Sequence, residues 1–251
     1  MTVDGETTEG RVLDAAEELF YARGVRAVGM DAVRAASGVS LKRLYQLYPS
    51  KDDLVEAYLR RRDTRWLRRL AEHVAKLADR PDTPDVLAKS TGAVAESTGA
   101  VAKSPGAPAE STGTVTESPG EAAESPGVPM ESTGVPVARI LAVFDWLHQW
   151  FAEEGYRGCA FINSYGELGA TSPAVAEVAR AHKAAFRRYL SDLVAAAGLP
   201  APLAAHLTLL AEGAITTAAI SGSPAAAHEA KAAARILLEA SRASAPERGR
   251  A

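Results

Sequence analysis

The chain has 251 residues, 47% of them apolar and 24% charged, enough to bury a core of one or two domains and too apolar to be disordered throughout. Its formal charge of −3, taken over the whole chain, speaks for neither a nucleic-acid binder nor a membrane-surface protein. A single cysteine, Cys159, excludes an internal disulfide or a Cys-based zinc cluster and suits a reducing compartment. Residues 1–10 lack the basic and apolar regions of a secretory signal, and no uninterrupted apolar run reaches the ~20 residues of a membrane span. The expectation is a soluble, cytoplasmic protein without a membrane partner.

In chain order, Val12, Ala15, Ala16, Leu19 and Phe20 keep the i, i+3, i+4, i+7, i+8 spacing of one buried helical face. Gly24 stands where a helix terminus accepts a left-handed residue, so a helix is predicted over 8–23. A short second helix over 30–36 stops at Ser37-Gly38. Ser40 caps a third, which ends near Tyr48 because Pro49 follows. Ser50 with Asp53 forms a capping-box-like start for a long fourth helix, whose apolar positions Leu54, Tyr58, Trp66, Leu70, Val74 and Leu77 carry it towards Ala78.

A seven-residue repeat then occupies residues 90–138, with copies beginning at Ser90, Ser97, Ser104, Ser111, Ser118, Ser125 and Ser132. Each copy has Gly at its third position, and the segment holds six prolines and no aromatic residue. Helix is excluded on those grounds, and a disordered linker is expected. The repeat carries six Glu and one Lys, a net of −5, so the rest of the chain sums to +2. Residues 23–62 hold nine basic and four acidic side chains, and the N-terminal region is therefore locally basic. Beyond the repeat, helices are expected at about 137–154, 173–197, 201–221 and 224–243. No convincing pair of strands is present, and the fold class is all-α.

The second and third helices, joined by a tight glycine turn, have the proportions of a helix-turn-helix. A helical wheel places Leu41, Leu44 and Tyr48 on one side, with Lys42, Arg43 and Gln46 opposite and Tyr45 at the edge. Such a face suits a major groove: Arg and Lys pair with guanine O6 and N7, Gln bridges adenine N6 and N7, and a Tyr hydroxyl reaches phosphate. Lys51, in the first turn of the next helix, can hold a second phosphate. The competing reading of the same residues is a solvated basic face on a small bundle.

Specific motifs accompany that face: Val12-Leu13-Asp14-Ala15-Ala16, Leu19-Phe20 and Gly24, then Ser37-Gly38-Val39-Ser40, then Leu44-Tyr45, Tyr48-Pro49-Ser50-Lys51 and Leu54. This stretch, about residues 9–59, resembles the N-terminal DNA-binding region of the TetR family of bacterial transcriptional regulators. The resemblance implies that Ser40, Tyr45 and Lys51 contact the DNA backbone and that Lys42, Arg43 and Gln46 reach bases. Three positions depart from the family pattern. Gly29 stands where a Ser or Thr usually caps the second helix, Leu47 replaces a common aromatic, and Lys42 replaces a common Gly.

After the repeat, Phe144, Trp146, Leu147, Trp150 and Phe151 form a dense aromatic cluster. In a TetR-like helical ligand domain, the candidates for lining a mostly apolar cavity are Leu70, Trp146, Trp150, Phe161, Asn163, Tyr165, Phe186 and Leu209. The competing reading of each is plain core. Among basic residues, only Arg157 lies close to Cys159 in sequence, so the thiol reads as buried and inert. The five scattered histidines show no metal-ligand spacing, and no nucleophile motif, phosphate loop or dinucleotide fingerprint suggests an enzyme or a cofactor. Small and apolar residues on the last two helices suit close approach, which by the resemblance is the homodimer interface.

The resulting expectation is an N-terminal helix-turn-helix domain over 8–55, a helical ligand-binding and dimerisation domain over 56–89 and 139–245, and a linker over 90–138. Its partners are a palindromic operator in double-stranded DNA, a second copy of the chain, and a small apolar or amphipathic ligand whose binding releases a repressor from DNA. The rival classes are a helical interaction or ligand-sensing module without specific DNA binding, and an enzyme working through a cavity acid such as Glu167 or Glu212.

Overall fold

The computed structural model describes residues 7–78 and 134–243. They form α1 (Thr8–Arg23), α2 (Met30–Ser37), α3 (Leu41–Leu47), α4 (Lys51–Ala78), α5 (Gly134–Phe151), α6 (Ala160–Leu168), α7 (Pro173–Ala196), α8 (Pro202–Ser221) and α9 (Ala225–Ala243). Among the described residues there is no strand.

Local chemistry sets the ends of the first helices. The Thr7 hydroxyl accepts from Gly10 N at 3.0 Å and starts α1. Gly38 ends α2 at φ +68°, its N–H donating to Arg34 O; the reversal into α3 needs this left-handed residue. The Ser40 hydroxyl accepts from Arg43 N at 3.2 Å and starts α3. Ser50 and Asp53 form a reciprocal capping box, with Asp53 N donating to Ser50 Oγ at 3.1 Å and Ser50 N to Asp53 Oδ2 at 2.8 Å.

The core of the first three helices is Val12, Ala16, Phe20, Val28, Val33 and Leu44, all buried. Leu54, Val55, Tyr58 and Leu59 of α4 are also buried and join the same core. At 28 residues, α4 runs for about 42 Å and packs on α1 at one end and on α5 and α7 along its length. A fan of arginines locks α1 to it. The Glu17 carboxylate accepts from Arg61 at 3.2 Å and Arg62 at 2.8 Å and is also paired with Arg65, while Arg61 reaches Asp14 at 2.7 Å. In the second domain α5 packs against α4, α7, α8 and α9, α8 lies against α9, and α6 lies on α7. Among the described helices, α8 has the length and mean hydropathy, 1.4 over its apolar window, to cross a membrane. Its buried face, including Leu203, Leu207, Ala211 and Ile215, belongs to the helical core instead.

Three expectations change. Helix α6 falls where none was predicted; nine residues holding only three buried side chains, Ala160, Phe161 and Ser164, leave too short a periodic signal. Helix α5 begins at Gly134 and takes in residues assigned to the linker, including Pro136. Proline is tolerated in a first turn, where its missing N–H has no acceptor to lose, and burial of Val137 and Ile140 draws the segment into the core. Leu41, expected on the inner side of α3, is exposed because it opens the helix ahead of the first turn that meets the core. The bulk of the repeat lies outside the described residues.

Candidate nucleic-acid interface and sensor chamber

On α3, Leu44 is fully buried in the core, while Lys42, Arg43, Tyr45 and Gln46 are exposed. The Arg43 guanidinium lies 3.5 Å from Gln46 Oε1, so the two side chains flank one another on the outer surface. Ser40 is exposed at the start of the helix, its hydroxyl engaged as the cap, and Lys51 sits half-buried in the first turn of α4. The sequence-predicted DNA face is thus brought together on one side of the domain. Tyr48 turns the other way: it is buried, its hydroxyl donates to Glu9 at 3.3 Å, and burial beside that carboxylate pushes the phenol up to about 12. Gly29 precedes α2 with no side-chain cap, and the space beside it is open.

The two domains meet through the loops at the end of α1 and the start of α6. The Tyr21 hydroxyl donates to Gly158 O at 2.8 Å and accepts from Arg157 N at 2.9 Å, and Arg62 stacks over its ring at 4.1 Å. The Glu167 carboxylate accepts from Val25 N at 3.0 Å and Arg26 N at 2.6 Å. A cavity of about 580 Å³ opens at this joint, lined in part by Tyr21, Gly24, Tyr156, Asn163 and Glu167. Glu167, considered as a cavity acid, is a clasp between domains.

Of the expected ligand-lining residues, Trp146, Trp150 and Phe186 gather around Trp66, with ring centroids 4.8, 5.6 and 5.2 Å from it. Leu70 is buried within the same core, and Phe161 stacks on His182 at 3.7 Å. Three others stand elsewhere. Asn163 faces the domain joint and donates to Arg157 O at 3.1 Å. Tyr165 lines a separate surface recess of about 360 Å³ with Phe161, Ile162, Ala179, Arg180 and Lys183. Leu209 is 71% exposed on the outer face of α8, because the inner face is taken by Leu203, Leu207, Ala211 and Ala214.

Between α4, α5, α6, α7 and α8 lies a closed chamber with no space for a water molecule, walled by Trp66, Trp150, Phe161, Phe186 and Ile215. Its polar groups are Cys159, His182, Lys183, Glu212 and Arg62. His182 Nδ1 lies 2.7 Å from Asp63 Oδ1. Lys183 Nζ donates to Glu212 at 2.7 Å and approaches Cys159 Sγ at 3.4 Å. Burial pushes the thiol up, but the neighbouring His182 and the charge of Lys183 outweigh it and hold the thiol below its ordinary range. Burial pulls His182 down, yet Asp63 and the thiol outweigh it and hold the imidazole above its ordinary range. The sequence reading of Cys159 as inert missed these neighbours because His182 and Lys183 arrive from α7 and Asp63 from α4. Glu212 is engaged by Lys183 in the same chamber. Among the described residues no group of three His, Cys, Asp or Glu side chains is placed to hold a metal ion.

A helix-turn-helix with a basic outer face is carried here on a long helix that enters a second set of packed helices. Residues 12–58 match the family described as bacterial regulatory proteins, tetR family. An uncharacterised HTH-type transcriptional regulator of Mycobacterium tuberculosis (strain ATCC 25618 / H37Rv) is 40% identical over 74 residues, 30% of this chain and 35% of the relative. That match spans about a third of the relative's length. A TetR-family transcriptional regulator from Streptomyces coelicolor shares the fold with a TM-score of 0.62 at 21% identity, over 93% of this chain and 95% of that one. Regulatory protein TetR from Rhodobacter sphaeroides does so with a TM-score of 0.60 at 18% identity, over 91% and 97%. In sequence the chain is similar to TetR-family regulators over residues 12–58, and in fold it is similar to solved members of that family over most of its length.

Proposed function

We propose that the protein is a homodimeric repressor that binds a palindromic operator through α3 of each copy and leaves it when a small apolar or amphipathic ligand occupies the second domain. The observation that carries this reading is the outer face of α3, where Lys42, Arg43, Tyr45 and Gln46 stand exposed over a buried Leu44. A helix of seven residues reads few base pairs, so specificity calls for two copies on two half-sites. Exposed Leu209, Ile220 and Ile236 on α8 and α9 support a second copy docking there. The joint between domains supports ligand release: α4 and the Tyr21 and Glu167 contacts would transmit a change in the second domain to α3, provided the ligand prefers the DNA-incompetent arrangement. Such a repressor works in the cytoplasm, with DNA as its target.

The test is selection of bound duplexes from random DNA by the purified full chain, followed by gel retardation of the winners at moderate ionic strength. The expected result is a two-fold symmetric consensus. Retention of all duplexes alike would overturn the proposal.

A further inference from the structure

The joint between α1 and α6 holds an opening that neither the outer face of α3 nor the aromatic core uses. Its volume of about 580 Å³ is that of a small-molecule site. Ala160, Asn163, Ser164 and Glu167 line it at i, i+3, i+4 and i+7, so one face of α6 looks into it. The end of α1 closes the opposite side with Tyr21 and Arg23, and Arg157 reaches it from the turn ahead of α6.

Three side-chain donors at this opening are uncommitted among the described residues. Ser164 is 3% exposed, yet its hydroxyl has no hydrogen-bond partner among them. A buried hydroxyl left unmet costs stability, and nearly all such groups have a partner in the working protein. Arg157 is held by its backbone, whose N–H donates to the Tyr21 hydroxyl at 2.9 Å and whose carbonyl accepts from Asn163 at 3.1 Å. Its exposed guanidinium pairs with no carboxylate among the described residues, and the same is true of Arg23. Glu167, the acid in the lining, is spent on Val25 N and Arg26 N. The opening therefore offers two open positive charges beside one engaged negative charge.

We propose that this opening is a binding site for a small hydroxylated organic anion, a carboxylate or a phosphate ester, held by Arg23 of α1, Arg157 ahead of α6 and Ser164 of α6. The guanidiniums supply charge-assisted hydrogen bonds to the anionic group, and the ligand's hydroxyls meet the Ser164 hydroxyl. The mostly polar wall suits such a molecule better than the apolar or amphipathic ligand proposed for the second domain. The site is separate from that one and calls for no DNA binding. Because its partners come from both sides of the joint, the bound anion ties the end of α1 to α6 alongside the Tyr21 and Glu167 contacts.

The experiment titrates the purified full chain with gluconate, with glucose 6-phosphate and with uncharged glucose, by calorimetry and by thermal unfolding. The expected result is saturable binding of at least one of the two anions, with Tm raised by about 2 °C at saturation, and binding of glucose roughly tenfold weaker or less. The tighter of the two anions assigns the group as carboxylate or phosphate. Arg157→Gln and Arg23→Gln should each weaken that anion roughly tenfold, the loss of one charge-assisted pair. Ser164→Ala should weaken it severalfold without lowering the Tm of the ligand-free chain, because the hydroxyl meets nothing there. Both arginines are exposed, so their variants keep the test open should Ser164→Ala misfold, as judged by circular dichroism. Binding of neither anion, glucose bound as tightly as the anions, or full affinity in either arginine variant would overturn the site. A chain that binds the anion but retards no duplex would remove the DNA reading and leave this site standing.

Discussion

Two cations beside the same short helix have different expected roles, and the difference is measurable. Arg43 stands on the outer face of α3 beside Gln46, where a planar guanidinium can pair with guanine O6 and N7. Lys51 stands at the start of α4, where charge and free N–H groups suit a phosphate. Arg43→Ala is expected to cost about 1–3 kcal/mol on the best operator and to relax the base preference at one position of each half-site. Lys51→Ala is expected to weaken all duplexes alike and to lower the salt slope by about one. Anisotropy titrations on matched and mismatched duplexes at several salt concentrations separate the two; equal losses from Arg43→Ala on every sequence would exclude a base contact. At the Asp63–His182 pair the sign of the pH effect follows from the raised imidazole. A group whose folded value lies above its unfolded one stabilises fully below the unfolded value, about 6.5, and loses that contribution as pH rises through the folded value. The stability gap between the wild type and Asp63→Asn should therefore be widest below the unfolded value and narrow as pH rises through the raised folded value in urea titrations. A gap independent of pH would mean that the pair is not charged in the native state.

At the level of elements, the start of α2 lacks the side-chain cap that α1, α3 and α4 have. Thr7, Ser40 and Ser50 each accept a backbone N–H, whereas Gly29 offers no side chain and has nothing within 4 Å of where a Cβ would stand. Its φ of −88° suits any residue. Gly29→Ser should therefore raise stability by a few tenths of a kcal/mol, seen as a small rise in Tm. It should also tighten operator binding if the new hydroxyl reaches phosphate; a lower Tm would show that the segment resists the extra atoms. The same elements show what the sequence could and could not disclose. The ends of α1 to α4 were legible because caps and left-handed glycines are local chemistry, and the outer face of α3 was legible because a helical wheel needs only neighbours. α6 was not, having too few buried positions to show a period. Nor was the chamber: Asp63 of α4, His182 of α7 and Cys159, which precedes α6, come together only through packing. Leu209 was misplaced for the converse reason, since an apolar residue on an apolar helix does not declare which face a neighbour covers.

For the whole molecule, the proposed repressor would depend on the joint between domains and on the outer faces of α8 and α9. The repeat should not matter to this: α4 and α5 pack directly on each other, and shortening a connection between packed helices changes closure entropy by no more than about 2 kcal/mol, in favour of the folded chain. A chain lacking residues 90–132 is expected to fold and bind its operator like the full one, and a tenfold loss of affinity would assign the repeat an active role. The outer faces of α8 and α9 are a different matter. Leu209, Thr216, Ile220 and Ile236 are exposed, the two isoleucines at 83% and 67%, while the opposite faces of both helices are buried in their own subunit. Burying one such side chain yields about 1.5–3 kcal/mol, and a two-fold interface counts each residue twice. Leu209→Glu combined with Ile236→Glu would instead place four uncompensated carboxylates between the copies, at several kcal/mol each where they are desolvated. Sedimentation velocity should show a dimer for the wild type and a monomer for the double variant, with circular dichroism unchanged because neither side chain contributes to the subunit core. Operator affinity should then fall steeply on the full palindrome and little on an isolated half-site. A double variant that still sediments as a dimer would move the interface away from α8 and α9.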